Sequence, residues 1–203
     1  MSPLLSDIQT INEELFNSQI VIRSTSSSAV SYTHLDVYKR QAHSLATATI
    51  AEILGKLYRL PDLYTAGLVH DLGRLGLLLT VGQTYEKWVS AEVPNIEESN
   101  QLERARFGLN HCEAALMVGE KWGFPELLQT CMVGHHDPDI GPPGAPVPLV
   151  QLACRIAAAI GFPEVFQEAE PFPELPDKAR ACEDLALDRL LERVNSRMGT
   201  ING

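Results

Sequence analysis

Apolar residues recur at helical spacing along most of the chain from residue 42 onward. Ile50, Ile53, Leu54 and Leu57 form a stripe that predicts a helix over about residues 43–58. Pro61 suits the first turn of a following helix that carries Ala66-Gly67-Leu68-Val69-His70-Asp71. The polar stretch 95–106 predicts an exposed helix ending at Phe107-Gly108. Ala114, Ala115, Val118 and Trp122 mark the next buried face, closed by Gly123. The pattern restarts at Pro125, with Leu128, Cys131, Met132 and His135 in register. Five prolines and two glycines stiffen residues 137–148, and a long apolar helix follows over about 148–160. After an acidic, proline-rich passage around 163–177, an amphipathic helix is expected over about 183–197. There is no internal repeat and no strand alternation outside residues 30–41. The pattern predicts an all-α protein, a multi-helix bundle.

Residues 30–41, Val-Ser-Tyr-Thr-His-Leu-Asp-Val-Tyr-Lys-Arg-Gln, have a different character. Codons for this peptide can be written as a transposon mosaic-end sequence joined to its own reverse complement, the mark of a sequencing adapter. They are therefore left out of the fold prediction. The other reading is a Tyr-rich β-strand. On the adapter reading residues 1–29 need not share a gene with residues 42–203. That first segment is expected to lack fixed structure, and the bundle is expected to be truncated in its N-terminal half. The expected organisation is then a helical core over 42–162, followed by a connector and C-terminal helix over 163–203. Loss of an N-terminal half would leave apolar surface exposed.

Composition narrows the function classes. The chain has 203 residues, 45% hydrophobic and 21% charged, which fits one globular domain. Residues 42–203 hold 13 Lys plus Arg against 22 Asp plus Glu, a net charge of 13 − 22 = −9. An acidic domain without a basic run is a poor match to a phosphate backbone, so no nucleic-acid partner is expected. No apolar run approaches a membrane span and no signal peptide opens the chain. Cys112, Cys131, Cys154 and Cys182 are far apart and read as small core residues of a reducing, cytoplasmic protein.

Chemistry concentrates in the histidines. Four of the six lie in Val69-His70-Asp71-Leu72-Gly73, Leu109-Asn110-His111-Cys112-Glu113 and Gly134-His135-His136-Asp137. His111 shares a face with Ala114, Ala115 and Val118, and His135 with Leu128, Cys131 and Met132. His43 faces with Ala46, Thr47 and Ile50. One inward histidine is usually a satisfied core residue. Several of them beside a carboxylate indicate shared ligation of a divalent metal, because burying so many imidazoles alone is costly.

Ala66-Gly67-Leu68-Val69-His70-Asp71-Leu72-Gly73-Arg74-Leu75 resembles the signature of the HD superfamily of metal-dependent phosphohydrolases. It is closer still to the HDOD branch, the HD-related output domain of bacterial signalling proteins. His43-Ser44, Glu103 with Phe107-Gly108-Leu109-Asn110-His111-Cys112-Glu113, Trp122-Gly123-Phe124-Pro125 and His135-His136-Asp137 follow in the branch's order. The resemblance covers about residues 42–162.

The resemblance implies a regulatory signal-transduction module that works through protein partners, with a degenerate metal site. The alternative is a metal-dependent phosphohydrolase acting on a nucleotide or other phosphoester. In that case His43, His70, Asp71, His111, His135 and His136 would hold one or two divalent ions (Mn, Mg, Fe or Zn), with His70 and Asp71 at the catalytic heart. Two departures favour the non-catalytic reading. Cys154 stands where the superfamily places a later metal-binding Asp, with Asp137 or Asp139 as substitutes from the loop. Arg74 replaces the Lys often found after the His-Asp-x-Gly element, and the Gly-Tyr-Pro element of the cyclic-di-GMP-hydrolysing branch is missing. Trp88 and Trp122 read as core anchors, and residues 164–174 as a solvated acidic loop. The last helix, with Leu185, Leu187, Leu190, Leu191 and Val194, reads as the closing helix of the bundle rather than a docking surface.

Overall fold

Ala42, Leu45, Ala46, Thr47, Ala48, Ile50, Ala51, Ile53 and Leu54 are all buried, so this stretch has no solvent face. A helix apolar on every side belongs in the middle of a bundle. In the computed structural model, which describes residues 30–92, 96–137, 139–164 and 171–201, that helix is α1, Val30–Tyr58. It is long enough to pack against α2 (Leu63–Val69) on one side and α8 (Pro146–Ala159) on the other. The contact with α2 is close: a Cβ on Gly67 would lie 2.9 Å from Ala51 Cβ and 3.0 Å from Ala48 Cα. Small residues on both helices let their backbones approach.

Between those partners run α3 (Leu72–Val81), α4 (Gln83–Glu92), α5 (Ile96–Phe107), α6 (His111–Trp122) and α7 (Glu126–Gly134). A short α9 (Asp177–Arg180), a 3-10 turn (Glu183–Leu185) and α10 (Leu187–Ile201) complete the chain. Among the described residues the regular structure is all helical, with no strand, as the pattern predicts. One apolar core joins α1, α2, α7, α8 and α10 through Ile50, Leu54, Leu63, Met198 and their neighbours. A second gathers Leu77, Tyr85, Trp88, Val89, Phe107 and Ala114. There the Trp88 and Phe107 rings meet edge to face, 5.1 Å apart.

The structure corrects several expectations. Backbone helix begins at Val30 rather than near residue 43, so residues 30–41 are helical and the strand alternative fails. The N-terminal segment 1–29 lies outside the described residues. The helix over 96–107 is not exposed on all sides, for Ser99 and Glu103 are fully buried. Polar residues at those positions face inward because a buried cation waits for them. Trp88 is a core anchor, but Trp122 is half exposed at the end of α6, beside Phe124. Leu190 and Val194 are fully buried, so α10 closes the bundle, while Leu187 remains exposed. No described helix is long and apolar enough to cross a membrane.

Candidate metal centre

Four histidines of the cluster arrive on four different elements, and each is held by a backbone or carboxylate acceptor; His136 follows His135 directly. His43 on α1 donates from Nδ1 to Phe162 O at 2.7 Å. His70, just after α2, donates from Nδ1 to Gly67 O at 2.7 Å. His135, just after α7, donates from Nδ1 to Met132 O at 2.8 Å. His111, the first residue of α6, donates from Nδ1 to Glu103 Oε2 at 2.6 Å. A carbonyl or an ionised carboxylate can only accept, so Nδ1 carries the proton in all four rings. A neutral imidazole protonated there has a lone pair on Nε2.

Those lone pairs converge. His43 Nε2 and His70 Nε2 lie 3.3 Å apart. The Nε2 atoms of His111 and His135 are buried and have no hydrogen-bond partner. Rings pass from His43 to His70 to His135 with centroids 5.2 and 5.1 Å apart, and His136 stands 4.0 Å from His135 and 5.0 Å from His111. Burial, with the neighbouring His43, pushes the His70 imidazole down to about 3. Burial and the Arg74 charge bring His111 down to about 4. His43 is lowered by burial, and His135 is driven well below the ordinary range by burial and then by His136. The four rings are therefore neutral at pH 7.

Local sequence explains how His111 is placed. Asn110 caps α6 with Oδ1 accepting from Glu113 N–H at 2.8 Å, and Glu113 returns a carboxylate to Asn110 N–H at 2.9 Å. Glu103 Oε2 also accepts the His111 backbone N–H at 2.7 Å. Gly73 then lets α3 lie against this turn, since a Cβ there would fall 1.7 Å from His111 O. The glycine of the His-Asp-Leu-Gly motif is a spacing device for the histidine on another helix.

Arg74 is the charged hub. Its side chain is fully buried, with Nε 2.7 Å from Glu164 Oε1, Nη1 2.7 Å from Glu103 Oε1 and Nη2 3.1 Å from Ser99 Oγ. Asp71 Oδ1 lies 3.2 Å from Nε, an ion pair without hydrogen-bond geometry. Tyr85 donates its hydroxyl to Glu103 Oε1 at 2.7 Å. Burial alone would raise Glu103, yet the hydrogen bond from His111 and the Arg74 charge bring it down to about 2. Glu164 is likewise opposed by burial but held well below the usual range by His136 and Arg74. Asp71 goes the other way: burial raises it well above the ordinary aspartate range, and Glu164 adds to the shift.

Two groups of donor atoms lie within ligating reach of one another among the described residues: His111, His135, His136 and Glu164, and His43, His70 and Cys154. The five histidines expected from sequence are all here, split between the two groups. Asp71 is drawn instead to Arg74, 3.9 Å from His111 Nε2. Glu164 is the residue that sequence reasoning missed. It is buried, not part of a solvated loop, and it bonds to helices 90 positions away through Arg74. Asp137 and Asp139 do not substitute for a carboxylate ligand, since both are exposed and Asp137 Oδ1 accepts the Asp139 N–H in a local turn. Gln151 pins that turn by donating to Gly134 O and Asp137 O. The thiols of Cys112 and Cys131 are pushed up to about 12 by burial and are inert core groups, as expected.

The donor set suits a divalent ion. Inward lone pairs on rings fixed through Nδ1 are what a metal needs from histidine, and the His111–Glu103 pair matches the carboxylate–histidine support found behind metal ligands. All candidate donors except His136 are less than a tenth exposed.

The HDOD domain family model matches residues 13–138. A crystal structure of an HDOD domain protein of unknown function from Geobacter sulfurreducens, at 1.90 Å resolution, is similar in fold, with a TM-score of 0.55 and 22% sequence identity. The match covers 78% of this chain and 53% of that one, so the chain spans about half the length of this structural relative. No curated protein matches the chain.

Proposed function

Because the chain belongs to the HDOD domain family, we propose that it is a regulatory signal-transduction module of a bacterial cytoplasm, acting through contacts with protein partners. Its histidine centre is degenerate for hydrolysis and serves to hold the bundle in one arrangement. One observation carries this reading: the fully buried Arg74 occupies the carboxylates Asp71, Glu103 and Glu164 at the heart of the site. A hydrolytic centre needs its aspartate on the metal, free to help orient water. Here the aspartate faces a guanidinium, and the thiol of Cys154 stands where a carboxylate is expected. Partner contact is supported by apolar residues left exposed on neighbouring helices, Leu75 and Leu79 on α3 and Trp122 on α6.

The phosphohydrolase reading keeps one observation in its favour, the buried atoms without a hydrogen bond: Nε2 of His111 and His135, and Oδ1 of Asp71, 3.9 Å from His111 Nε2. A divalent ion held by His111, His135, His136 and Glu164 would supply acidified water and a clamp for a phosphate oxygen. Turnover of a generic phosphodiester with added manganese separates the two. The chain and its His111→Ala, His135→Ala double variant, which lacks two of those ligands, are expected to be equally inactive. Manganese-dependent turnover that the double variant loses would overturn the regulatory reading.

A further inference from the structure

The innermost donor group differs in kind from its neighbour. His43 Nε2 and His70 Nε2 face each other at 3.3 Å, and Cys154 Sγ lies 3.5 Å from His43 Nε2. Both imidazoles give their Nδ1 protons to backbone carbonyls, so no ring proton lies between the two Nε2 atoms. Two lone pairs at that distance repel; the Cys154 S–H can answer the one on His43, 3.5 Å away, while a cation would join both and the sulfur as well. The sulfur is presented to the same point from α8, and all three donor atoms lie within 4.8 Å of one another. Glu164 Oε2, 3.8 Å from the sulfur, is in reach as a fourth donor.

We propose that His43, His70 and Cys154 form a thiolate-containing site for a thiophilic divalent ion, zinc by chemical class, rather than for magnesium or manganese. The inference deepens the reading of a non-hydrolytic centre and rests on it. Two imidazoles and one thiolate are borderline-to-soft ligands, which suit zinc and cobalt and poorly satisfy hard ions that demand oxygen. A fourth ligand from the protein would close the shell, the mark of a structural site. On binding, the Cys154 S–H bond is broken, the sulfur keeps the electron pair to form the metal bond, and one proton leaves for the buffer. No electron is transferred.

The test uses the full chain, stripped of metal by chelation under reducing conditions and titrated with cobalt(II). Expected is a near-ultraviolet sulfur-to-cobalt charge-transfer band that saturates and is bleached by zinc, while a large excess of magnesium leaves it unchanged. Cys154→Ser should lose the band yet keep the visible bands of imidazole-bound cobalt. Cys154→Asp should weaken zinc binding and strengthen manganese binding relative to the unchanged chain. His111→Ala, in the other donor group, should keep the band. Circular dichroism of each apo variant checks that it folds. Cobalt bound with no charge-transfer band, or a band that survives in Cys154→Ser, overturns the proposal. So does failure to bind cobalt at all, which removes the metal centre altogether. Manganese-dependent phosphodiester turnover with the sulfur band intact would instead refute only the non-hydrolytic reading.

Discussion

Replacing Arg74 with Met should take away a large part of the chain's stability. The guanidinium is completely buried and is ion-paired with Glu103 at 2.7 Å and Glu164 at 2.6 Å. Removing one partner of a buried ion pair costs about 3–5 kcal/mol, because the charge left behind can no longer be solvated. Not all of that cost applies to each carboxylate. Glu103 keeps Tyr85 and two bonds from His111, and Glu164 keeps His136. The total should therefore stay near 3–5 kcal/mol rather than double, still about a fifth or more of a typical domain's stability of about 5–15 kcal/mol. Arg74→Lys should fall between wild type and Met. It retains the charge, but a single ammonium cannot reach Glu164, Glu103, Tyr85 and Ser99 together. Urea unfolding followed by circular dichroism gives the differences. A pH arm identifies the cause. Without Arg74, the Glu164 carboxyl is expected to rise above its unfolded value, so its destabilising charge disappears as pH falls through the raised pKa. The deficit of Arg74→Met should shrink between pH 7 and pH 5. A loss below about 1 kcal/mol, or one that does not change with pH, would refute the view that Arg74 is the cation of this centre.

Two further outcomes follow from the same geometry. The metal-free chain should lose stability as pH drops below about 6.5, the unfolded histidine value, because His70 and His111 stay neutral in the fold down to about 3 and about 4 while the unfolded chain takes up protons. The slope should be up to about 1.4 kcal/mol per pH unit for each such ring, continuing until its folded pKa is reached. Urea midpoints at pH 7.5 and 5.5 measure it, and a flat profile would mean that the folded rings protonate. Gly73→Ala should destabilise by about 3 kcal/mol or more, since its Cβ would meet the His111 carbonyl oxygen at 1.7 Å and Ala115 N at 2.8 Å, backbone atoms that cannot rotate aside. Thermal unfolding tests this, and a variant as stable as wild type would show that α3 and α6 are not held this closely.

The helices were legible where burial is one-sided or complete, because periodicity reports the face each residue turns to the core. His111 and His135 could be placed inward on that ground alone, and the structure brings both into the cluster. Pattern failed where polar residues are buried by partners far away in the chain. Ser99 and Glu103 make the 96–107 helix look exposed in sequence, yet both reach Arg74. Glu164 follows Pro163 in an acidic stretch, and nothing local marks it as the residue that completes the charge centre from 90 positions away. Trp122 failed in the opposite sense. It continues the register of Ala115, which is fully buried, but the helix ends at Gly123 and no described element covers the last turn on that side.

Arg74 and the metal-binding donors are parts of one charge arrangement. The guanidinium balances one of the two ionised carboxylates, Glu103 and Glu164, and burial drives Asp71 toward its neutral form. Beside these charges stand a thiol and four imidazoles that burial keeps neutral, His43, His70, His111 and His135. A hard divalent ion gains little there: its natural oxygen ligands are already engaged by Arg74, Tyr85 and His111. A thiophilic ion gains the imidazole lone pairs and, on displacing the Cys154 proton, one more negative charge. The same substitution that weakens a hydrolytic centre thus suits the cluster to a stabilising one. Arg74 and Cys154 should act as a pair, the first withdrawing carboxylates and the second supplying a softer ligand. Restoring a carboxylate at 154 while Arg74 remains should therefore improve manganese binding less than making Cys154→Asp together with Arg74→Met, a difference that a metal-binding double-mutant cycle would read directly.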